Sequence, residues 1–233
     1  MDEIHSNKTS PAPINMKRVG EMESVLKRQT TFQARFRFNM TEEEAEAILA
    51  ASYKLEVEKR QRAFVLDENT SANLHKLAEF VTAERPKFGV MLCGTCGNGK
   101  STLMRAFQRA LNYLADSKHF SFMDKYFIPR MAIYDAWDLA QIAHDAKEFA
   151  AVKAKSMIGI DDLGNEPAEI LEFGNPIYPI VRLIEHRYNT QAFTFITTNL
   201  TPKEIREKYG ARIADRFNEM LHVIVFRDIS YRN

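Results

Sequence analysis

The stretch Gly94-Thr95-Cys96-Gly97-Asn98-Gly99-Lys100-Ser101 fits the phosphate-loop pattern GxxxxGK[ST]. It directly follows the apolar run 88–93, which predicts a strand, and precedes a segment, Thr102 to Leu114, whose apolar side chains share one helical stripe. Strand, glycine-rich loop and helix therefore occur in the order that a phosphate site requires. In such a loop, backbone N–H groups close on phosphate oxygens at the positive end of the helix.

The residues of this loop have expected roles in binding ATP and Mg²⁺. Lys100 is predicted to contact the β- and γ-phosphates, and the Ser101 hydroxyl is predicted to bind Mg²⁺. A flexible turn that matches the pattern by accident is the alternative. The predicted nucleotide-binding set is Gly94, Thr95, Cys96, Gly97, Asn98, Gly99, Lys100, Ser101 and Thr102.

Two later strands are predicted to end in polar side chains. The apolar run 157–160 ends in Asp161 and Asp162, as a second nucleotide motif requires at the carboxyl edge of a parallel sheet. Asp161 is expected to hold the Mg²⁺ shell, and Asp162 to orient or deprotonate the attacking water. The run 193–198 ends in Asn199, whose amide is expected to contact that water or the γ-phosphate. An ordinary turn is the alternative at each strand end.

Two arginines, Arg212 and Arg216, stand four residues apart, on one face of a predicted helix. They either pair with Asp215 or Glu219 at the surface or reach the γ-phosphate of a neighbouring subunit. In the second case an isolated subunit hydrolyses ATP slowly. Arg232, near the end of the sequence, is a third candidate cation.

Composition limits the possible function classes. The 233 residues, 45% of them hydrophobic, suffice for one α/β domain with a small appendage. The 32 basic and 31 acidic side chains nearly cancel, so any DNA contact must be local. No apolar run approaches the roughly 20 residues of a membrane span, and the polar start does not resemble a secretory signal. A cytoplasmic protein with no membrane partner is expected.

The two cysteines, Cys93 and Cys96, have a C-x-x-C spacing. Because there is no second cysteine pair to complete a tetrahedral zinc site, we interpret Cys93 as a small buried hydrophobe and Cys96 as a loop residue.

The chain is predicted to have three parts: a disordered arm at 1–15, a helical partner-binding region at 16–62 and an ATPase domain at 63–233. Thr41 and Glu44 form a capping box that begins a helix over 41–62. Because this amphipathic helix cannot bury its stripe alone, it is expected to fold back on 16–38 or to dock on a partner. The segment 32–38 interleaves Phe and Arg, which either stack bases, enter a partner's groove or pack a small core.

The ATPase domain is predicted to be α/β, with a parallel five-stranded sheet flanked by helices. A helix begins at Ser71 and leads into the first strand. The sheet ends a few residues before the sequence does, so no helical lid is expected. The remaining predictions are strands at 131–134, 157–160, 193–198 and 223–226, and helices at 135–146, 177–188 and 202–209.

The phosphate loop, the runs 160–166, 183–189 and 197–200, the arginine pair and the closing Ser230-Tyr231-Arg232 together resemble the DnaC/IstB-like AAA+ ATPases over about residues 64–233. The chain looks most like a replicative helicase loader of the DnaC type. The resemblance implies an ATPase of DNA replication that binds single-stranded DNA and self-assembles on a hexameric helicase. It assigns Walker A to Lys100 and Ser101, Walker B to Asp161 and Asp162, sensor 1 to Asn199, the arginine finger to Arg216 and sensor 2 to Arg232.

The same resemblance places DNA-facing residues near Tyr134 and Trp137 and makes 16–62 the helicase-binding element. Arg212 is expected beside Arg216 at the nucleotide. The sequence departs from the family in having Thr95-Cys96 where prolines are usual, and Asp162 where many AAA+ members carry Glu, which predicts slow hydrolysis.

Three alternatives remain at this point. One is an IstB-type transposition helper that binds duplex DNA and a transposase. A second is a small-molecule P-loop kinase, although the sequence shows no lid-like insertion with clustered arginines. A third is an adaptor that changes shape on binding ATP and hardly hydrolyses it.

Overall fold

A computed structural model of the chain describes residues 16–29, 35–84, 86–116, 129–172 and 174–226. The chain divides into two compact units, 1–34 and 35–233. In the first unit, helix α1 (Met16–Gln29) exposes Val19, Met22 and Val25 at intervals of three residues. The predicted disordered arm, 1–15, lies outside the described residues.

The second unit alternates strands and helices. Its helices are α2 (Glu42–Glu58), α3 (Glu68–Thr82), α4 (Lys100–Asp116), α5 (Ala136–Ile142), α6 (Ala146–Lys153), α7 (Pro179–Thr190), α8 (Pro202–Tyr209) and α9 (Ala211–Met220). Its strands are β1 (Gly89–Cys93), β2 (Ala132–Asp135), β3 (Met157–Leu163), β4 (Ile170–Glu172), β5 (Asn175–Ile177), β6 (Phe193–Thr198) and β7 (His222–Val225).

Five of these strands form a parallel sheet in the order β2-β3-β6-β1-β7, and β4 and β5 form a separate antiparallel hairpin. One apolar cluster joins α2, α3 and α4 to one face of the sheet, and another joins α5, α7 and α9 to the opposite face. The predicted α/β fold, with helices flanking a parallel five-stranded sheet, is confirmed. Since β1, β6 and β3 are neighbours, their carboxyl ends meet at one edge, where an open α/β sheet binds its ligands.

Helix α2 begins at the predicted capping box, in which Thr41 and Glu44 each accept a hydrogen bond from the other's backbone N–H. Its buried side chains, among them Leu49 and Tyr53, lie in the same apolar cluster as those of α3 and α4. The stripe that was expected to fold back on 16–38 or to dock on a partner therefore packs within the second unit.

The segment before α2 also belongs to that core. Phe36 and Phe38 are buried, and both lie in edge-to-face or stacked contact with Phe107 of α4, with ring centres 6.2 and 6.0 Å away. For these two phenylalanines the core-packing interpretation of 32–38 holds. The compact unit that contains the sheet consequently begins at residue 35, whereas the expected division lay between 62 and 63.

Local capping explains where other elements differ from expectation. Helix α3 begins before the predicted Ser71, because the Asp67 side chain caps it by accepting a hydrogen bond from the Thr70 N–H at 2.7 Å. The helix predicted over 135–146 begins at its expected cap, Asp135, but ends at Ile142 as α5; a second helix that was not predicted, α6, follows with its own cap, Asp145. The β4–β5 hairpin was not predicted.

Arg187 of α7 is fully buried and fixes this helix to the sheet. Its guanidinium donates to the hydroxyl of Thr194 and to the backbone carbonyls of Lys155, Ser156 and Phe193. Burial lowers the pKa of Arg187 to about 10, so the group stays charged at neutral pH. Within the described ranges, no helix has both the length and the apolar composition needed to cross a bilayer.

Candidate functional site

A cleft of about 850 Å³ opens beside the phosphate loop. Pockets for small ligands commonly measure about 300–1,000 Å³. Residues 96–102 form one side of the cleft, and Asp162 near the end of β3, Asn165 after β3 and Asn199 after β6 form another. The remaining side comes from α2 and the segment after it, with Tyr53, Val57, Arg60, Arg62, Ala63, Phe64, Val65 and, in α3, Thr70.

The phosphate loop connects β1 to α4 in a conformation that needs glycine. Gly99 has φ of +92°, and a Cβ at this position would lie 2.5 Å from the Tyr53 hydroxyl. Asn98 is buried, and its side-chain Nδ2 has no hydrogen-bond partner among the described residues. A buried donor without a partner is uncommon and suits a site that binds an anion.

Lys100 begins α4, and its ammonium group lies among oxygen atoms of the loop. Its Nζ is 2.7 Å from the carbonyl oxygens of Gly94 and Thr95, 3.1 Å from Asn98 Oδ1 and 2.9 Å from Asn199 Oδ1. Burial lowers the pKa of Lys100, while Cys96 and Asp162 oppose this effect. Phosphate oxygens could replace these acceptors and would add the negative charge that a buried ammonium group favours.

Asp161 ends the regular part of β3 and is buried. Its Oδ1 accepts a hydrogen bond from the Thr197 hydroxyl at 2.6 Å, and its Oδ2 forms an ion pair with Arg105 at 3.3 Å. Hydroxyl and carboxylate oxygens are ligands that Mg²⁺ prefers. Of the two predicted metal ligands, Ser101 lines the cleft, whereas Asp161 is buried and is not part of the cleft lining.

Asp162 projects into the cleft because β3 becomes irregular at this residue. The pairing of β3 with β6 shifts between Ile160 and Leu163, and Asp162 has φ of +55°. Its backbone N–H donates to the Thr197 hydroxyl at 2.9 Å. Irregular pairing of this kind can turn a side chain out of the sheet, and non-glycine residues with positive φ are concentrated at functional sites.

Asn199 directly follows β6 and joins the strand end to the phosphate loop. In addition to the bond from Lys100 to its Oδ1, its Nδ2 donates to the Cys96 sulfur at 3.3 Å. The structure thus brings Lys100, Asp162 and Asn199 to one cleft, although they come from three separate segments of the sequence.

Cys93 and Cys96 differ in their surroundings. Burial raises the pKa of Cys93 to about 11, against the opposing effect of Lys100. Cys93 is therefore a neutral thiol at neutral pH, whereas Cys96 is exposed and lines the cleft.

Arg212 and Arg216 lie on α9 and do not line the cleft. The Arg216 side chain is 12% exposed, donates to Glu185 Oε1 at 2.8 Å and lies 5.0 Å from the centre of the Tyr188 ring. The Arg212 side chain is 77% exposed and lies 3.6 Å from Glu185. The carboxylate that both contact is thus Glu185 of α7.

The two candidate DNA-facing residues also lie away from the cleft lining. Tyr134 is half-buried in β2, which is an edge strand of the sheet. Trp137 is 51% exposed in the first turn of α5, which Asp135 caps. The predicted sensor 2 residue, Arg232, lies outside the described residues.

Sequence reasoning missed the polar residues that support the strand ends. Thr197 contacts both Asp161 and Asp162, and its signal is that β6 carries threonine hydroxyls in a fully buried strand. Buried Glu166 accepts hydrogen bonds from the Gly164 N–H and the Tyr209 hydroxyl, so it fixes the loop after β3 to α8. Burial, together with the charge of Glu166, raises the pKa of Tyr209. No local pattern announces this contact across the fold.

Comparison with solved structures shows the same fold in three other proteins. A DnaC helicase loader superposes with a TM-score of 0.53 at 21% identity, over 70% of this chain and 93% of that chain. A putative primosome component from Streptococcus pyogenes serotype M3 gives 0.50 at 21% identity, over 72% and 85%. DnaI gives 0.50 at 19% identity, over 71% and 88%.

Sequence comparisons are silent in contrast. No protein-family model matches the chain, and no curated protein matches it. At these identities the structural similarities show a shared fold, so the residues of the cleft must carry any argument about function.

Proposed function

We propose that this protein is a DnaC/IstB-like AAA+ ATPase that loads a replicative helicase, binding Mg·ATP, single-stranded DNA and the hexameric helicase. The observation that carries the proposal is the meeting of three strand ends at one cleft, where Lys100 lies 2.9 Å from Asn199 and Asp162 lines the same space. The fold shared with solved helicase loaders supports the choice of function within the P-loop ATPases.

The cleft residues have the chemical groups that ATP hydrolysis needs. The backbone of 94–99 and the Lys100 ammonium group would hold the phosphates, and Ser101 with Asp161 would hold Mg²⁺. Bound Mg²⁺ supplies positive charge that neutralises the phosphate oxygens. The Asp162 carboxylate would orient the attacking water and accept its proton, while the Asn199 amide would hold the water or the γ-phosphate in position.

The remaining roles fall on residues outside the cleft. Helix α1 lies in the proposed helicase-binding region, 16–62, and has exposed apolar side chains. We therefore assign the helicase contact to α1. Exposed Trp137, with Tyr134, would stack DNA bases, a contact worth about 1–3 kcal/mol per base. Arg216, beside Arg212, would reach the nucleotide of a neighbouring subunit, so that assembly on the helicase stimulates hydrolysis.

The test is to mix the purified chain with the replicative helicase of its own host, with and without Mg·ATP, and to measure complex formation and ATP turnover. We expect a complex, and we expect Lys100→Ala to abolish ATP binding. Asp162→Asn should keep ATP binding and lower turnover by about 10²- to 10⁴-fold.

Absence of any complex under both conditions would refute the helicase-loader proposal. Binding to single-stranded and duplex DNA is compared at one salt concentration, because phosphate contacts depend strongly on salt. A preference for duplex DNA would point instead to the transposition helper.

A further inference from the structure

Arg60 is a cation on the wall of the cleft that the phosphate-loop motif does not include. It follows α2 and lines the cleft, and its Nη1 donates to the hydroxyl of Thr102 at 3.1 Å. Thr102 lies in the first turn of α4, two residues after Lys100. The contact therefore holds a guanidinium group beside the N-terminal end of the helix that the loop precedes.

The neighbouring arginines are neutralised, whereas Arg60 is not. Arg109 donates through Nε to Glu56 at 2.8 Å, and Arg105 pairs with Asp161. Within the described ranges, no carboxylate forms an ion pair with Arg60. Arg60 follows the negative C-terminal end of α2, which favours a cation, and lies beside the positive N-terminal end of α4, so an anion bound between Arg60 and α4 would be attracted by both.

The residues around Arg60 indicate which anion fits there. Val57 and Phe64 line the same cleft as Arg60 and offer an apolar surface for a flat base. Because Arg60 contacts Thr102, directly after the loop whose backbone N–H groups cradle the α- and β-phosphates, its guanidinium group lies near the end of the site where those phosphates are expected. A planar guanidinium group also matches the geometry of phosphate oxygens and can donate two parallel hydrogen bonds.

We propose that Arg60 is a nucleotide-binding residue that contacts the α- and β-phosphates of the bound nucleotide from outside the phosphate loop. The inference rests on the proposed binding of ATP at this cleft. Lys100 serves the β/γ end of the triphosphate. Arg60 serves the end nearer the base, so it acts on ADP as well as on ATP.

The experiment measures the dissociation constants of fluorescent ATP and ADP analogues with the full chain. Arg60→Gln removes the charge but keeps an amide donor for Thr102, and Arg60→Lys keeps the charge without the planar fork. Lys59→Gln is the matched control, since Lys59 is exposed, adjacent and absent from the cleft lining. Thermal unfolding of each variant reports any effect on folding.

We expect R60Q to bind both nucleotides about 10- to 100-fold more weakly than the wild type, the range for losing one charge-assisted contact. R60K should recover part of the affinity, and K59Q should bind like the wild type. Equal affinities of R60Q and K59Q, or a loss confined to ATP, would overturn the assignment. If Lys100→Ala abolishes binding but R60Q binds like the wild type, only the inference about Arg60 fails. If the wild type binds no ATP, the proposed function fails as well.

Discussion

The cleft differs from the surface where Glu185 and Tyr188 of α7 meet Arg212 and Arg216 of α9, here called the α7–α9 face, in how it holds the predicted catalytic residues. In the cleft, Lys100, Asp162 and Asn199 already face one space, because adjacent parallel strands bring their ends together. On the α7–α9 face, Arg216 is bound to Glu185 and covered by Tyr188. The residues proposed to act within one subunit are thus brought together by the fold, whereas the residue proposed to act on a neighbouring subunit is held by a partner within its own chain.

The largest expected effect concerns Arg216, which Glu185 holds within its own chain. If Arg216 leaves Glu185 to reach a neighbouring nucleotide, Arg216→Ala should lower the ATP turnover of the assembled protein by about 10³- to 10⁵-fold. Arg212→Ala should have a much smaller effect, although Arg212 is the more exposed of the two. Turnover is measured on the chain assembled with helicase and single-stranded DNA.

Thermal unfolding separates catalysis from stability in this comparison. Arg216→Ala also removes the bond to Glu185, so Glu185→Gln serves as the control that weakens the same contact and keeps the arginine. Stimulated turnover should survive in the Glu185→Gln variant. If Arg212→Ala loses the stimulated turnover and Arg216→Ala loses only stability, the role of reaching a neighbouring nucleotide belongs to Arg212. Arg216 would then be a structural residue of the α7–α9 face.

A smaller effect is expected inside the cleft, at Thr197. Thr197→Val leaves Asp161 Oδ1 without one donor and the Asp162 N–H without its acceptor, so unfolding free energy should fall by about 1–3 kcal/mol and turnover should also fall. Thr198→Val is the matched control. Its hydroxyl donates to the Leu163 carbonyl and accepts from the Leu200 N–H, away from both carboxylates.

Chemical denaturation and ATP turnover of both valine variants decide the point. We expect similar losses of stability, but a loss of turnover that is specific to Thr197→Val. Equal turnover in the two variants would mean that the carboxylates do not depend on Thr197 for their position.

The contrast also explains how much the sequence could predict. The phosphate loop and α8 were placed correctly, because glycines, caps and prolines act over a few residues. The wall of the cleft formed by Tyr53 and Arg60 was not predicted, because α2 was assigned to a partner and its packing against α4 depends on contacts distant in sequence. The three-residue strands β4 and β5 are too short to show a periodic pattern.

Buried polar contacts were also not predicted from the sequence. Arg187 reads as a surface residue of an amphipathic helix, yet it is completely buried, since backbone carbonyls from β6 and the segment before β3 satisfy its donors. No charge pattern in the sequence marks such a partner set, because every residue has a carbonyl group. The same reasoning applies to Glu166 and Tyr209.

The smallest effect tests whether the cleft is open to ligands. Cys96 is exposed, whereas burial keeps Cys93 from forming the thiolate that alkylating reagents attack, so at pH 8 we expect Cys96 to be labelled and Cys93 to remain unlabelled. Labelling of Cys93 should rise only as the pH approaches its pKa of about 11. Because Cys96 lines the cleft, Mg·ATP should slow its labelling in the wild type but not in Lys100→Ala.

Mass spectrometry of the labelled chain, with Cys96→Ser as the control, gives the measurement. The sign follows from burial, which disfavours the charged form of Cys93 and so raises the pH at which it reacts. Equal labelling of both cysteines at pH 8 would mean that the strand end carrying Cys93 is open to solvent. In that case the end of β1, from which the phosphate loop starts, would be less firmly packed than Arg216 is against Glu185 and Tyr188.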